Sequence, residues 1–150
     1  MPSSLPQRAA APPQAPRGAE IVFRLPVRVY WEDTDAGGIV FYANYLKFFE
    51  RVRTEWLRSL GVHQQLMRER TGAIFVVTHT STHYRAPARL DDLLEVTLAV
   101  QHTGRASLQV AQQALRDETL LAEGVVRIGC VEAASMRPCR IPADLIEALG

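Results

Sequence analysis

The chain has little cysteine. Cys130 and Cys139 are the only two among 150 residues, and they form no CxxC pair and no disulfide framework. Such usage fits a reduced compartment, and a cytoplasmic location is expected. An excess of charge of one sign is missing as well. The formal net charge is +1, which excludes bulk attraction to nucleic acid. Long apolar runs are absent, so no segment is expected to span a bilayer. Residues 1–20 also lack the continuous apolar stretch of a secretory signal. They carry Pro2, Pro6, Pro12, Pro13 and Pro16 among Ala, Ser and Gln. A stretch of this kind buries little apolar surface and reads as a disordered tail. Histidine is sparse. His79 and His83 share a strand-like stretch, about 13 Å apart along it, too far to hold one metal ion. No metal site is expected, and no internal repeat is present.

What remains, residues 21–150, is enough for one domain with a proper core. Ile21 to Trp31 is β-branched and aromatic and reads as a strand, with Pro26 at an edge or bulge. From Tyr45 the period changes. Tyr45, Phe48, Phe49, Val52, Trp56 and Leu60 recur at helical spacing. Asn44 is placed to cap that helix, and Gly61 with Val62 to close it. A short helical or irregular piece follows near Gln64 to Arg70. The pattern then turns to period two. Ala73 to Arg85, Leu94 to Gln101, Ser107 to Arg116 and Thr119 to Val131 read as strands. Thr103-Gly104 and Asp117-Glu118 read as turns, and Pro142 to Leu149 as a short terminal helix. The economical fold is α+β, one long helix wrapped by a curved antiparallel sheet.

The stretch from Arg28 to Tyr45 carries the candidate chemistry. A strand-like run leads to Asp33 and Asp35, Gly37 and Gly38 follow, and the helix begins. That order can set a carboxylate beside backbone N–H groups at a helix N-terminus, an arrangement suited to acyl transfer. By spacing alone, Asp35 reads better as a turn or cap residue. Asp33, two residues earlier on a strand, is expected to face the same way and to brace the loop. Gly37 and Gly38 supply backbone freedom and let a substrate approach the main chain. Arg85, Arg89, Arg105, Arg137 and Arg140 together suit an anionic ligand, although any single one reads as a solvated surface residue.

The text Val27-Arg28-Val29-Tyr30, running into Glu32-Asp33-Thr34-Asp35-Ala36-Gly37-Gly38, is followed by Tyr45 and Glu50-Arg51-Val52-Arg53-Thr54-Glu55. It resembles the hotdog-fold thioesterases of the 4-hydroxybenzoyl-CoA thioesterase superfamily, and within them the bacterial Tol–Pal-cluster acyl-CoA thioesterases. Tyr84-Arg85-Ala86-Pro87-Ala88-Arg89-Leu90-Asp91-Asp92 is a second match. The likeness covers roughly residues 22 to 145. It implies a hotdog fold and protomers joined edge to edge into a homodimer, often paired into a homotetramer, with active sites at the dimer interface. It puts the catalytic carboxylate on Asp35 and the backbone N–H that polarises the thioester carbonyl on Tyr42. Some relatives carry His at that position, and a main-chain role tolerates the Tyr. Other hotdog enzymes use a helix carboxylate, which makes Glu50 a second candidate, although a surface or interface role is the plainer reading. Gly37, Gly38, Asn44, Arg85 and Arg89 are the expected substrate contacts. The implied reaction is hydrolysis of a short- to medium-chain acyl-CoA without metal or redox cofactor. The alternative is a module that binds acyl groups or acyl carrier protein, or scaffolds an envelope complex.

Overall fold

The computed structural model describes residues 19–149. The tail reading therefore lies outside the described residues, apart from Ala19 and Glu20. The strands are β1 (Ile21–Arg28), β2 (Ala73–Tyr84), β3 (Leu93–Thr103), β4 (Ser107–Arg116) and β5 (Thr119–Glu132). They form one sheet in the order β1-β3-β4-β5-β2, with every pairing antiparallel. The long helix α1 (Asn44–Ser59) lies against one face, and α2 (Gln64–Thr71) and α3 (Ala143–Leu149) line one cavity with the Gly61–His63 turn that follows α1. This is the hotdog arrangement. Among the described residues no helix is long and apolar enough to cross a membrane.

The apolar stripe of α1 places this core. Tyr45, Phe48, Phe49, Val52 and Trp56 are all buried, against Leu94, Val96 and Leu98 of β3, Val110 and Ala114 of β4, and Val126 of β5. The helix stops where the sequence says it should. Gly61 sits at φ +82°, its N–H donates to the Arg58 carbonyl at 3.0 Å, and the Val62 N–H reaches the Leu57 carbonyl at 2.9 Å. That is a Schellman cap, and a left-handed residue is what it requires. The helix also crosses the sheet closely at Gly124. A Cβ there would lie 3.0 Å from the Ser81 carbonyl oxygen and 3.2 Å from the Phe49 ring. A polar seam interrupts the apolar contact. Buried Gln112 donates to the Phe49 carbonyl at 3.0 Å and accepts from buried Arg53 at 3.0 Å.

Two local expectations fail at the same place. β1 ends at Arg28 rather than Trp31, and Trp31–Asp33 is a 3-10 turn. Asn44 does not cap α1; the cap is Ala43, and no side chain bonds there. One cause accounts for both. Buried Asp33 accepts the Tyr30 N–H at 2.7 Å and the Asn44 side-chain amide at 2.8 Å. The first bond turns the chain out of the strand. The second ties the Asn44 side chain to Asp33 through its NH2, and no side-chain cap bond forms.

Candidate active site

Asp33 and Asp35 do not share a face, because Asp33 lies in the 3-10 turn and not on a strand. Asp33 is buried and Asp35 exposed. After Asp33 the chain folds back on itself. Thr34 bridges Val40, the Asp35 N–H donates to the Ile39 carbonyl at 2.9 Å, and the Phe41 N–H to the Asp33 carbonyl at 2.9 Å. Asp35, Ala36, Gly37 and Gly38 form the tip. Gly38 takes φ +81°, a conformation that suits glycine.

The amides around Asp35 come from this tip and not from the helix. Its Oδ1 accepts the Gly37 N–H at 2.9 Å and the Ile39 N–H at 3.4 Å, as an Asx turn does. Among the described residues Oδ2 has no partner, so one oxygen is anchored and the other is open to react. Asp35, Gly38 and Ala36 line a surface cavity with Trp31, Thr34 and Leu90. Trp31 is 81% exposed.

Tyr42 lies beyond the returning segment, two residues after Val40. The Asn44 N–H donates to the Phe41 carbonyl at 2.8 Å, which makes Phe41–Asn44 a hydrogen-bonded turn with Tyr42 and Ala43 at its centre. Among the described residues the N–H groups of Tyr42 and Ala43 find no acceptor. Unpaired donors just ahead of a helix are what a developing oxyanion needs. The Tyr42 side chain is 64% exposed.

The other sequence candidates separate. Asn44 is buried on Asp33 and holds the start of α1. Arg89 flanks the Asp35 tip, since it bridges Ile39 and the Val40 N–H donates to the Ala88 carbonyl at 2.9 Å. Among the described residues its guanidinium has no partner. Arg85 instead pairs with Glu123 of β5 at 2.7 Å. Glu50 is exposed at the lip of a different cavity, between α1 and β2, with Arg53, Thr54 and Phe75. The cysteines come together unexpectedly, Sγ to Sγ 3.7 Å. Burial and the Cys139 thiol push Cys130 up to about 12, so it offers no thiolate near neutral pH.

Two supports escaped the sequence reading although both lie in the second matching segment. Asp92 accepts the Arg89 N–H at 2.8 Å and the Arg116 guanidinium at 2.7 Å. Burial works to raise its carboxyl, but the Arg89 N–H and Arg116 hold it below the usual carboxylate range. This clamp ties the Arg89–Leu90 wall to β4. Tyr84 donates its hydroxyl to the Tyr42 carbonyl at 2.8 Å. No local pattern announces the Arg116–Asp92 or the Tyr84–Tyr42 bond, because those partners are far apart in the chain.

Comparison with known proteins gives this geometry a family. Residues 29–149 match the family model of the thioesterase-like superfamily. The chain belongs to the thioesterase-like superfamily. The acyl-CoA thioesterase YbgC of Haemophilus influenzae is 42% identical over 123 residues, 82% of this chain and 90% of that protein. The acyl-CoA thioester hydrolase YbgC of Escherichia coli O6:H1 is 46% identical over 127 residues, 83% of this chain and 93% of that protein. The fold is shared more widely within thioesterases. A 1,4-dihydroxy-2-naphthoyl-CoA thioesterase from Synechocystis superposes with a TM-score of 0.79 at 22% identity, over 85% of this chain and 94% of that one. The superfamily match takes in the Asp35 tip, the Tyr42 turn and the Arg89 wall together.

Proposed function

We propose that this chain is an acyl-CoA thioesterase that hydrolyses short- to medium-chain acyl-CoA to free acid and coenzyme A. The observation that carries the reading is the Asp35 carboxylate, anchored through Oδ1 alone and followed by a turn with unpaired N–H groups. The two YbgC relatives support it, since each is named for acyl-CoA thioester hydrolysis. In this mechanism the thioester oxygen lies on the N–H groups of the Tyr42 turn. Oδ2 of Asp35 attacks the carbonyl carbon, or takes a proton from a water that attacks it. In the first route the C–S bond breaks to give a mixed anhydride and a thiolate, and water opens the anhydride to return the carboxylate. Gly37 and Gly38 let the acyl carbonyl approach the backbone. Arg89 meets the anionic groups of coenzyme A, and Arg85 does so only by leaving Glu123.

Asp35, Gly37, Gly38 and Tyr42 are all exposed in a single chain. Electrostatic stabilisation of an oxyanion is worth most where water is excluded. A second copy is proposed as the cover. β2 is an edge strand with Thr78, His79, Thr80 and Ser81 exposed, and two such edges can join into one sheet. By its likeness to the Tol–Pal-cluster branch we place the enzyme in the cytoplasm as a homotetramer of such dimers. Acyl carrier protein is the second carrier to assay.

The test is thiol release from a panel of acyl-CoAs by wild type and Asp35→Asn. Turnover is expected to fall by about three decades or more in a variant whose stability is within about 0.5 kcal/mol of wild type, as befits an exposed side chain. No turnover by wild type on any acyl-CoA or acyl carrier protein would overturn the reading.

A further inference from the structure

The hydroxyl of Tyr84 bonds across the fold to the peptide that follows Tyr42. We propose that Tyr84 is a positioning residue, one that locks the Tyr42–Ala43 peptide so that the Ala43 N–H stays available as an oxyanion donor beside that of Tyr42. The inference rests on the thioesterase reading and adds a residue to its machinery.

That peptide is the central one of the Phe41–Asn44 turn. The central peptide is the unit that flips between the two commonest turn types, and the flip turns its C=O and N–H over together. Ala43 at φ −71°, ψ −16° puts the present turn in the type I form. In a trans peptide the C=O and N–H point in opposite directions. A donor that captures the Tyr42 carbonyl therefore commits the Ala43 N–H to the opposite side. The Tyr84 hydroxyl is that donor, at 2.8 Å. A hydrogen bond at the carbonyl also polarises the amide and strengthens its N–H as a donor.

Tyr84 is itself held from several directions. Its ring meets Tyr42 edge-on at 6.3 Å and Tyr45, buried in the first turn of α1, at 5.6 Å. The next two residues are pinned to β5, since the Arg85 and Ala86 N–H groups both donate to the Leu121 carbonyl, at 2.7 and 3.2 Å. Burial and the neighbouring Tyr42 push its phenol above the ordinary value. It therefore stays protonated, and a donor, throughout the neutral range.

Tyr84→Phe is the informative variant because it keeps the ring and removes only the hydroxyl. In the full-length protein kcat is expected to fall about tenfold, less than the two to three decades typical of deleting an oxyanion donor itself. KM is expected to stay within about twofold, because the bond acts on the transition state more than on the bound substrate. A second readout isolates positioning from packing. A ketone analogue, with the thioester sulfur replaced by CH2 and the carbonyl labelled with carbon-13, reports polarisation through its chemical shift. The bound resonance is expected to move downfield in wild type and back toward the free position in Tyr84→Phe. Unchanged kcat and an unchanged bound shift in Tyr84→Phe, with wild type active and Asp35→Asn inactive, would overturn this inference and leave the thioesterase reading standing. An inactive wild type that does not shift the carbonyl overturns both.

Discussion

Asp33 and Asp35 are the same residue type two positions apart, yet their surroundings assign them different work. Asp33 is buried and both its oxygens are engaged, one by the Tyr30 N–H and one by the Asn44 amide. Asp35 is exposed and has one oxygen open. Asp33→Ala leaves a buried amide without its acceptor. A loss of about 1–3 kcal/mol is expected on that account, read as a lower urea midpoint. Turnover should fall too, since Asn44 begins the helix beside the Tyr42 turn. Asp35→Asn is expected to differ in stability, which is kept while turnover is lost. An Asp33→Ala variant as stable as wild type would overturn the bracing role given to Asp33. The motif drew attention to both residues, but its spacing suggested a shared face. The 3-10 turn that separates them arises from a bond Asp33 makes to the backbone, which alternation along a strand does not express.

At the scale of elements, periodicity was a good guide and contact was not. The stripe from Tyr45 to Trp56 gave α1 its buried face, and Gly61 its end. The strands from β2 to β5 fall close to the segments whose side chains alternate. What periodicity leaves open is how near the helix comes to the sheet. Gly124 decides that, since a Cβ there would meet the Ser81 carbonyl at 3.0 Å and the Phe49 ring at 3.2 Å. Gly124→Ala must move α1 or β2, both of which border proposed functional surfaces. Overpacking of this kind costs about 1–3 kcal/mol. A lower melting temperature in Gly124→Ala checks it, and a variant as stable as wild type would mean that the helix yields freely. The polar seam of Arg53 and Gln112 was equally hidden. In sequence Arg53 is a charge on a helix and Gln112 an interruption in a strand. Only their meeting satisfies both.

For the whole molecule, the question is what covers the exposed site. The free edge of β2 suits pairing with its own copy about a two-fold axis. Thr80→Lys puts a positive charge on the exposed middle of that strand, where it would lie close to the same charge on the partner. Wild type is expected to sediment as a dimer or a tetramer, and Thr80→Lys to shift toward monomer and lose turnover in the same proportion. A wild type that is monomeric at full activity would count against a shared site.

The order of residues along the chain suffices for the kinds of element, their succession, most of their ends, and the short segment that bears the Asp35 tip. These follow from side-chain period, from turn residues and from a motif contained in one stretch of chain. Which groups meet depends on the folded chain. Tyr84 reaches the Tyr42 carbonyl, Arg116 reaches Asp92, Cys139 approaches Cys130, and Gln112 joins Arg53 to the helix backbone. Each contact depends on strand register and on how the helix crosses the sheet. Register and crossing are set by the packing of the entire core, and no local stretch of residues encodes them.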